Sequence, residues 1–147
     1  MAFTGNFMAT SYKVGIIRGD HKIRLTGGDT LKIALYDSSA SFNAATTNYT
    51  VTNEITGAGY TAGGQVLVPT EPTSGGTTGY CDFADPLWNG TISARGAMVY
   101  NTTTDEGTGT TDTILILDFG STRAVVSDDF KVIMPTADEL NAILRIS

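Results

Sequence analysis

The sequence of 147 residues is poor in the side chains on which most enzymes and metal proteins depend. It contains one cysteine, Cys81, and one histidine, His21. A single cysteine excludes a disulfide within the chain and any zinc site built from several cysteines. We therefore expect stability to come from packing alone, and we expect no cofactor and no metal.

Charged residues and long apolar runs are also scarce. Only 16% of the residues are charged, and no apolar run approaches the roughly 20 residues that a membrane span needs. The first thirteen residues show neither a basic start followed by an apolar core nor a small-residue cleavage site. The sequence therefore predicts a soluble chain made in a cytoplasm, with no membrane segment and no secretory signal.

Threonine and glycine are abundant, with 24 and 17 copies respectively. Threonine is β-branched and favours strands, and glycine favours turns. This composition argues against a helical bundle and predicts a mainly β fold. A length of 147 residues suits one domain with a sizeable core.

Charge is distributed unevenly along the chain. The net charge is −6, which argues against a general attraction to nucleic acid or anionic lipid. Residues 1–32 nevertheless hold five basic and two acidic residues, a net charge of +3, while the remainder carries −9. Two interpretations stay open at this point: the basic end docks onto an acidic partner, or the difference is ordinary surface scatter.

The N-terminal region predicts an arm followed by a short amphipathic helix between Met8 and Gly19. Apolar residues occur near helical spacing within that range, and Gly15 weakens the helix by about 1 kcal/mol relative to alanine. The face they define comprises Met8, Tyr12 and Ile16, with Val14 and Ile17 as further candidates.

Met1 to Phe7 is interpreted as an arm that carries two aromatic side chains, Phe3 and Phe7. Exposed phenylalanines are costly in water unless a partner or a neighbouring subunit covers them. We therefore assign residues 1–28 to an arm and helix and residues 29–147 to a β body, and expect deletion of residues 1–7 to leave a folded domain. The alternative is that the helix packs on its own sheet.

From Leu31 onward, apolar residues alternate with polar ones in short segments separated by turn residues. Regular strand spacing near ten residues is typical of a single-domain antiparallel β sandwich, here expected to be jelly-roll-like. The predicted strands are Leu31–Tyr36 with one apolar face, Tyr49–Ile55, Gln65–Val68, Tyr80–Phe83, Ile92–Tyr100, Thr113–Phe119, Ala124–Val126, Phe130–Met134 and Ile143–Ile146.

The continuous apolar run Ile114–Leu117 predicts a strand buried on both faces, either centrally or against another subunit. Pro69–Gly79 is predicted to be an exposed loop, and Asn101–Asp112 is predicted to be a mobile hairpin loop. Thr136 and Glu139 match a capping box that predicts a helical turn before the last strand. The predicted core is Leu31, Ile33, Leu35, Val99, Ile114, Ile116, Phe119, Phe130 and Val132.

The residues support no catalytic assignment. His21 and Cys81 form a dyad only if the fold brings them together, and neither lies in a recognisable nucleophile context. Gly57, Gly59 and Ala62 satisfy the loose G-x-G-x-x-A pattern, but a strand rather than a helix is expected after them, so a dinucleotide site is rejected.

The sequence gives only weak support for a cation or acid–base site and for a nucleic-acid-binding surface. Acidic pairs can bind a hard cation or act as acid and base, but none here has a diagnostic spacing. Aromatic and basic residues interleave as nucleic-acid binders do, although a helix packed on a sheet shows the same stripe. The acidic pairs are Asp82 with Asp85, Asp105 with Glu106, and Asp128 with Asp129; the interleaved set is Tyr12, Lys13, Arg18, His21, Lys22 and Arg24.

Several segments, taken in order, resemble small virion proteins encoded among the structural genes of tailed bacteriophages. Their order covers most of the chain, although each segment alone is weak. The segments are Asp29–Tyr36, similar to "DTFKIALY"; Ala44–Thr47 with Tyr49 and Thr50; Gly59–Gly64, similar to "GYTAGG"; Ala94–Ala97 with Tyr100 and Asn101, similar to "ARGAxxYN"; Leu117–Gly120, similar to "LDFG"; and Leu144–Ile146, similar to the C-terminal "LRI".

Ser11–Lys13 also resembles the family's "SFK" helix start, whereas Gly15 and Gly19 depart from its better helix formers, and the loop Asn101–Asp112 looks longer than usual.

The resemblance implies a non-enzymatic part of a virus particle. A capsid decoration or cement protein bound to the major capsid protein is expected, with self-association into a homotrimer and no nucleic-acid partner. The alternative is a tail or head-fibre adhesin whose loops contact a host-surface glycan; a small hydrolase of lysis or entry is disfavoured. The expected partner-binding residues are Phe3, Phe7, Tyr12, Lys13 and Arg18.

Overall fold

The computed structural model describes residues 3–103 and 111–147, and these residues form a mainly β fold. The single short helix of this part of the chain lies near the N-terminus, as predicted. The elements are β1 (Phe7–Met8), α1 (Thr10–Arg18), β2 (Leu31–Tyr36), β3 (Gln65–Leu67), β4 (Thr73–Gly75), β5 (Thr78–Cys81), β6 (Leu87–Asn101), β7 (Asp112–Lys131) and β8 (Leu144–Ile146).

The strands form two antiparallel sheets. One sheet has five strands in the order β1-β7-β6-β2-β3, and the other has three in the order β4-β5-β8. Side chains from both sheets meet in one apolar cluster, which includes Ile33 and Val99 from the first sheet and Cys81 and Leu144 from the second. The expected antiparallel β sandwich is therefore confirmed.

A long hairpin, β6–β7, dominates the larger sheet. Its pairing runs from Leu87 opposite Lys131 to Asn101 opposite Asp112. The sequence predicted separate strands within β7, and the predicted breaks are irregularities in one continuous strand. Val126 and Ser127 lie between the pairs that flank Thr91, and Ser127 has a φ of 50°, so this break is a β-bulge.

The larger sheet is buried on both faces. In β2, Ile33 and Leu35 face the main cluster, whereas Ala34 and Tyr36 face a second cluster. The prediction that β2 buries one apolar face was therefore incomplete, because residues outside the strand also cover its other face. That second cluster contains Phe3, Ala34, Tyr36, Ala40, Phe42, Met98, Tyr100 and Ile116.

The predicted core is largely confirmed. Eight of the nine residues are buried, and Phe119 is partly buried beside the main cluster. The strand Ile114–Leu117 is buried on both faces, as expected, but its covering residues belong to this chain: Ile116 joins the second cluster and its neighbours join the first. An oligomer contact is not needed to cover it.

Two predictions about connecting segments were wrong. Tyr49–Ile55 is a loop rather than a strand, and its one β-bridge joins Glu54 to Tyr36 among the residues that the structure describes. Asn53 has a φ of 62°, a left-handed conformation that interrupts an extended strand. Pro69–Gly79 is not an open loop, because most of it folds into the hairpin β4–β5.

A turn does precede the last strand, although Thr136 does not cap it. The backbone N–H groups of Leu140 and Asn141 both donate to Asp138 Oδ1, at 2.9 and 2.7 Å. The N–H of Ala142 donates to the Asp138 carbonyl at 3.0 Å, which closes one turn. The predicted hairpin loop Asn101–Asp112 falls mostly on residues 104–110, which lie outside the described residues.

Candidate functional site

Helix α1 is fixed to the rest of the chain by backbone hydrogen bonds at its N-terminal end. The N–H of Ala9 donates to the Ile114 carbonyl of β7 at 2.9 Å, and the N–H of Thr10 donates to the Ala44 carbonyl at 2.8 Å. Gly19 ends the helix in the left-handed conformation, with a φ of 84°. The helix is therefore held in one orientation relative to the larger sheet.

Gly15 occupies the middle of α1 because a side chain from the following segment packs against it. A Cβ atom at this position would lie 2.7 Å from the ring atoms Cδ2 and Nε2 of His21. The imidazole also lies against Tyr12, with ring centroids 4.9 Å apart. The departure from better helix formers at Gly15 thus has a packing cause that spacing alone did not indicate.

The opposite side of α1 exposes apolar side chains flanked by basic ones. Val14 and Ile17 are 47% and 87% exposed, and Lys13 and Arg18 are also exposed. Spacings of three and four residues place these side chains on one helix face. We call Lys13, Val14, Ile17 and Arg18 the α1 face. Val14 and Ile17 therefore do not join the buried face with Tyr12.

The two cations of the α1 face differ in their surroundings. Arg18 Nη2 lies 2.5 Å from Asp20 Oδ2, and the Asp20 side chain is only 6% exposed. This ion pair fixes the guanidinium beside the helix C-terminus, where the helix dipole also favours a cation. Lys13 extends from an exposed position one turn earlier.

The structure separates the five predicted partner-binding residues into buried and exposed groups. Phe3 and Tyr12 are each only 5% exposed, Phe7 is half-buried in β1, and Lys13 and Arg18 are exposed. The expectation that Phe3 lacks cover within its own chain was therefore wrong. Only Lys13 and Arg18 of the five belong to the α1 face.

The arm packs on the larger sheet through two features. Strand β1 adds to the edge of β7, with Phe7 opposite Ile116. The Phe3 ring packs on Gly96, where a Cβ would lie 2.5 Å from Phe3 Cε1, and it meets Phe42 edge to face at 5.7 Å. A glycine within a strand marks such a close approach, although its partner could not be read from the sequence.

A narrow apolar groove of about 230 Å³ lies beside α1, on the side away from the α1 face. Its lining includes Tyr12 and Ile16 from the helix and Cys81 and Leu144 from the smaller sheet. The Cys81 thiol donates to the Thr70 carbonyl at 3.2 Å, and burial raises its pKa. A thiol in this state is a poor nucleophile.

His21 belongs to a buried polar network that the sequence did not indicate. The amide Nδ2 of Asn101 donates to Asp29 Oδ2 at 2.5 Å and lies 3.1 Å from His21 Nδ1. The N–H of Thr103 donates to Asn101 Oδ1 at 2.8 Å. These bonds join the segment after α1 to the end of β6, so they give His21 a structural role.

Another polar network that the sequence did not indicate centres on Glu54. Its carboxylate accepts hydrogen bonds from the Tyr49 hydroxyl at 2.6 Å and the Tyr60 hydroxyl at 2.5 Å, and from the Gly63 N–H at 2.7 Å. Burial and the hydrogen bond to Glu54 raise the pKa of Tyr60 well above its usual range. This network holds the loop 49–64 together, and the Leu35 N–H of β2, which donates to the Tyr60 hydroxyl at 2.9 Å, joins the loop to the larger sheet.

Two of the acidic pairs have structural partners, and Asp129 accepts from the Asn89 side-chain amide at 2.8 Å. Asp105 and Glu106 lie outside the described residues. Asp82, 1% exposed, accepts from the N–H groups of Phe83 and Ile143, and burial raises its pKa. Asp85 accepts from the Met134 N–H and pairs with Lys131 at 3.2 Å. Within residues 3–103 and 111–147, no group of three or more histidine, cysteine or acidic side chains is arranged to hold a metal.

The basic and aromatic residues considered for nucleic-acid binding do not form one open surface. Tyr12 is buried, Arg18 pairs with Asp20, and Arg24 lies 3.7 Å from Glu71. The dinucleotide pattern after Gly57 is also followed by strand β3. That strand lacks the helix N-terminus that would hold a pyrophosphate.

Comparisons of the chain with protein families, curated proteins and solved structures found no match. None of the helices in the described ranges has the length and hydropathy that a membrane crossing requires. The α1 face, which combines exposed apolar and basic side chains on one rigid element, is the candidate functional site.

Proposed function

We propose that this chain is a non-enzymatic capsid decoration protein of a tailed bacteriophage and that the α1 face attaches it to the major capsid protein. The observation that carries the attachment is the exposure of Val14 and Ile17 between Lys13 and Arg18. The role in a virus particle rests on the resemblance of the ordered segments from Asp29 to Ile146.

The chemistry of the α1 face suits a partner that is apolar at its centre and acidic around it. Full burial of an exposed isoleucine or valine contributes about 1.5 to 3 kcal/mol, and Ile17 is 87% exposed in this chain. Lys13 adds an attraction that salt screens, whereas the charge of Arg18 is offset by its ion pair with Asp20. The excess of acidic residues beyond residue 32 directs the rest of the surface away from an acidic shell.

The test is binding of the purified protein to capsids of its own phage that lack it. We expect Ile17→Asp to abolish addition to the shell, and Lys13→Glu to weaken it most at low salt. Leu140→Asp is the matched control, because Leu140 is 73% exposed and lies outside α1, in the turn before β8. Equal binding by Ile17→Asp and Leu140→Asp would place the contact elsewhere.

Deletion of residues 1–7 is a poor test of attachment. It removes Phe3 from the second cluster and Phe7 from the edge of β7, so loss of binding would not be distinguished from damage to the fold. The expectation that such a deletion leaves the domain unaffected is withdrawn for this reason, and substitutions on the α1 face replace it.

The absence of enzymatic activity is part of the proposal. The His21 ring is engaged by Asn101 and Gly15, and the Cys81 thiol is buried against Thr70. We expect no turnover of peptide, glycan, ester or nucleotide substrates. A reproducible activity that His21→Ala or Cys81→Ala removes would contradict this expectation.

The homotrimer implied by the resemblance also stays a proposal, for the protein bound to the shell. Its physical argument from the sequence, the two-sided strand Ile114–Leu117, no longer supports it, because this chain covers both faces. Copy number per purified particle separates a decoration protein, present many times, from the adhesin alternative, present a few times.

A further inference from the structure

The outer edge of β7 is largely unpaired. Strand β6 pairs with β7 along its inner edge over Asp112–Asp118 and Arg123–Lys131, with Phe119–Thr122 outside the register. On the outer edge, β1 pairs with Leu115 and Ile116, and backbone hydrogen bonds from Ala9 to Ile114 and from Thr113 to Thr47 cover the adjacent residues. Among the residues that the structure describes, no other strand pairs with β7. The segment Arg123–Lys131 therefore presents an open sheet edge, which is a template for another strand.

An open groove of about 520 Å³ runs beside this edge. Phe119, Val125, Phe130 and Ile133 supply apolar surface to its lining. Ile133, just after β7, is 69% exposed, and Val126 within β7 is 77% exposed. A strand added to the edge can therefore place alternate side chains against apolar surface as well as form backbone hydrogen bonds.

The charges along this edge are self-complementary. Arg123 lies on one side of Val125 and Val126, and Asp128 and Asp129 lie on the other. All three charged side chains are exposed. If two copies of this edge pair antiparallel about a two-fold axis near the valines, Arg123 of each copy meets the Asp128–Asp129 segment of the other.

We infer that the outer edge of β7 binds a second copy of this chain, in a two-fold antiparallel contact centred on Val125 and Val126. The bulge at Val126 and Ser127 interrupts the ladder at the axis, so the segments that pair are Arg123–Val125 and Asp128–Lys131. A contact that uses the same edge on both copies closes as a pair rather than extending into a fibre. It does not depend on attachment to a capsid.

A charge exchange tests this contact, with mass measured by sedimentation over a range of protein concentrations. The wild-type chain is expected to reach twice its 15.5 kDa mass as the concentration rises. Arg123→Glu places like charges together at two symmetry-related positions, so the dissociation constant should rise about tenfold or more. The double variant Asp128→Lys with Asp129→Lys should weaken the pair similarly.

The triple variant Arg123→Glu, Asp128→Lys, Asp129→Lys should restore association, because opposite charges again face each other across the axis. Glu139→Lys is the control for a charge reversal away from β7, because Glu139 is exposed in the turn before β8, and it should leave the dissociation constant unchanged. Circular dichroism of each variant confirms that it folds.

Three outcomes would overturn the inference. A monomer at every concentration would show that the charges and the bulge protect the edge from pairing. A trimer whose mass does not respond to Arg123→Glu would place self-association on another surface. Equal weakening by the single, double and triple variants would show that the two charged segments do not face each other.

Discussion

Replacement of Ile116 by alanine tests how the two clusters hold the larger sheet. Ile116 has no exposed surface. It lies in β7 between Phe7 of β1 and Met98 of β6, and its side chain packs in the second cluster. The site is enclosed by strands on both sides, so neighbouring side chains have little freedom to fill a vacated space.

The expected loss of stability has two parts. Isoleucine has three more side-chain carbon atoms than alanine, and at about 0.8 kcal/mol for each buried carbon the transfer part is about 2.4 kcal/mol. The cavity left in a site that relaxes little adds to this value. We expect the free energy of unfolding to fall by about 3 to 5 kcal/mol, within the range seen for such truncations.

The measurement is urea unfolding followed by circular dichroism, with wild type and variant compared at equal protein concentration. Val66→Ala is a control at an exposed position of the same sheet, where Val66 in β3 is 56% exposed. It should change stability by no more than about 0.5 kcal/mol. A loss below about 1 kcal/mol for Ile116→Ala would refute the enclosed site described above.

Three further predictions follow from contacts of named atoms. Gly96→Ala should displace the Phe3 ring, since the new Cβ would lie 2.5 Å from Phe3 Cε1 and 2.5 Å from the Leu117 carbonyl oxygen; a loss of about 1 to 3 kcal/mol in urea unfolding is expected, and unchanged stability would contradict this packing. Burial raises the pKa of Tyr100 to about 12, above the value of about 10 in an unfolded chain, so the folded state keeps a proton that the unfolded state releases. Stability should therefore fall as the pH rises from 10 towards 12, and Tyr100→Phe should reduce that fall by about 1 kcal/mol at about pH 11; identical pH profiles would count against it. The Cys81 thiol, buried and with a raised pKa, should react with a thiol reagent at the rate of chain opening, and rapid reaction in the native protein would be inconsistent with its burial.

The sequence by itself determined the fold class and much of the core. Threonine and glycine content, together with short alternating segments, indicated a β sandwich, and the apolar run Ile114–Leu117 indicated a strand buried on both faces. These features depend on local pattern, because a strand's side chains alternate regardless of what lies opposite. The short helix near the N-terminus was predicted on the same basis.

Tertiary structure decided what covers each surface. The sequence showed Phe3 and Phe7 in an arm without a partner, but Phe3 packs on Gly96, which is distant along the chain. The Tyr49–Ile55 alternation was misleading because Glu54 alone of this segment forms a bridge to a strand, at Tyr36, and its side chain is held by tyrosine hydroxyls. Such contacts join residues far apart in sequence, and local periodicity carries no information about them.

The same limit applies to the candidate surfaces. Val14 and Ile17 share the helix with Tyr12, and periodicity alone did not show which side meets the sheet; Tyr12 is buried, whereas Ile17 is exposed. The open edge of β7 exists because β1 is only two residues long and covers a short part of a twenty-residue strand. Strand pairing is a property of the assembled sheet, so only the tertiary structure could reveal which edge stays free.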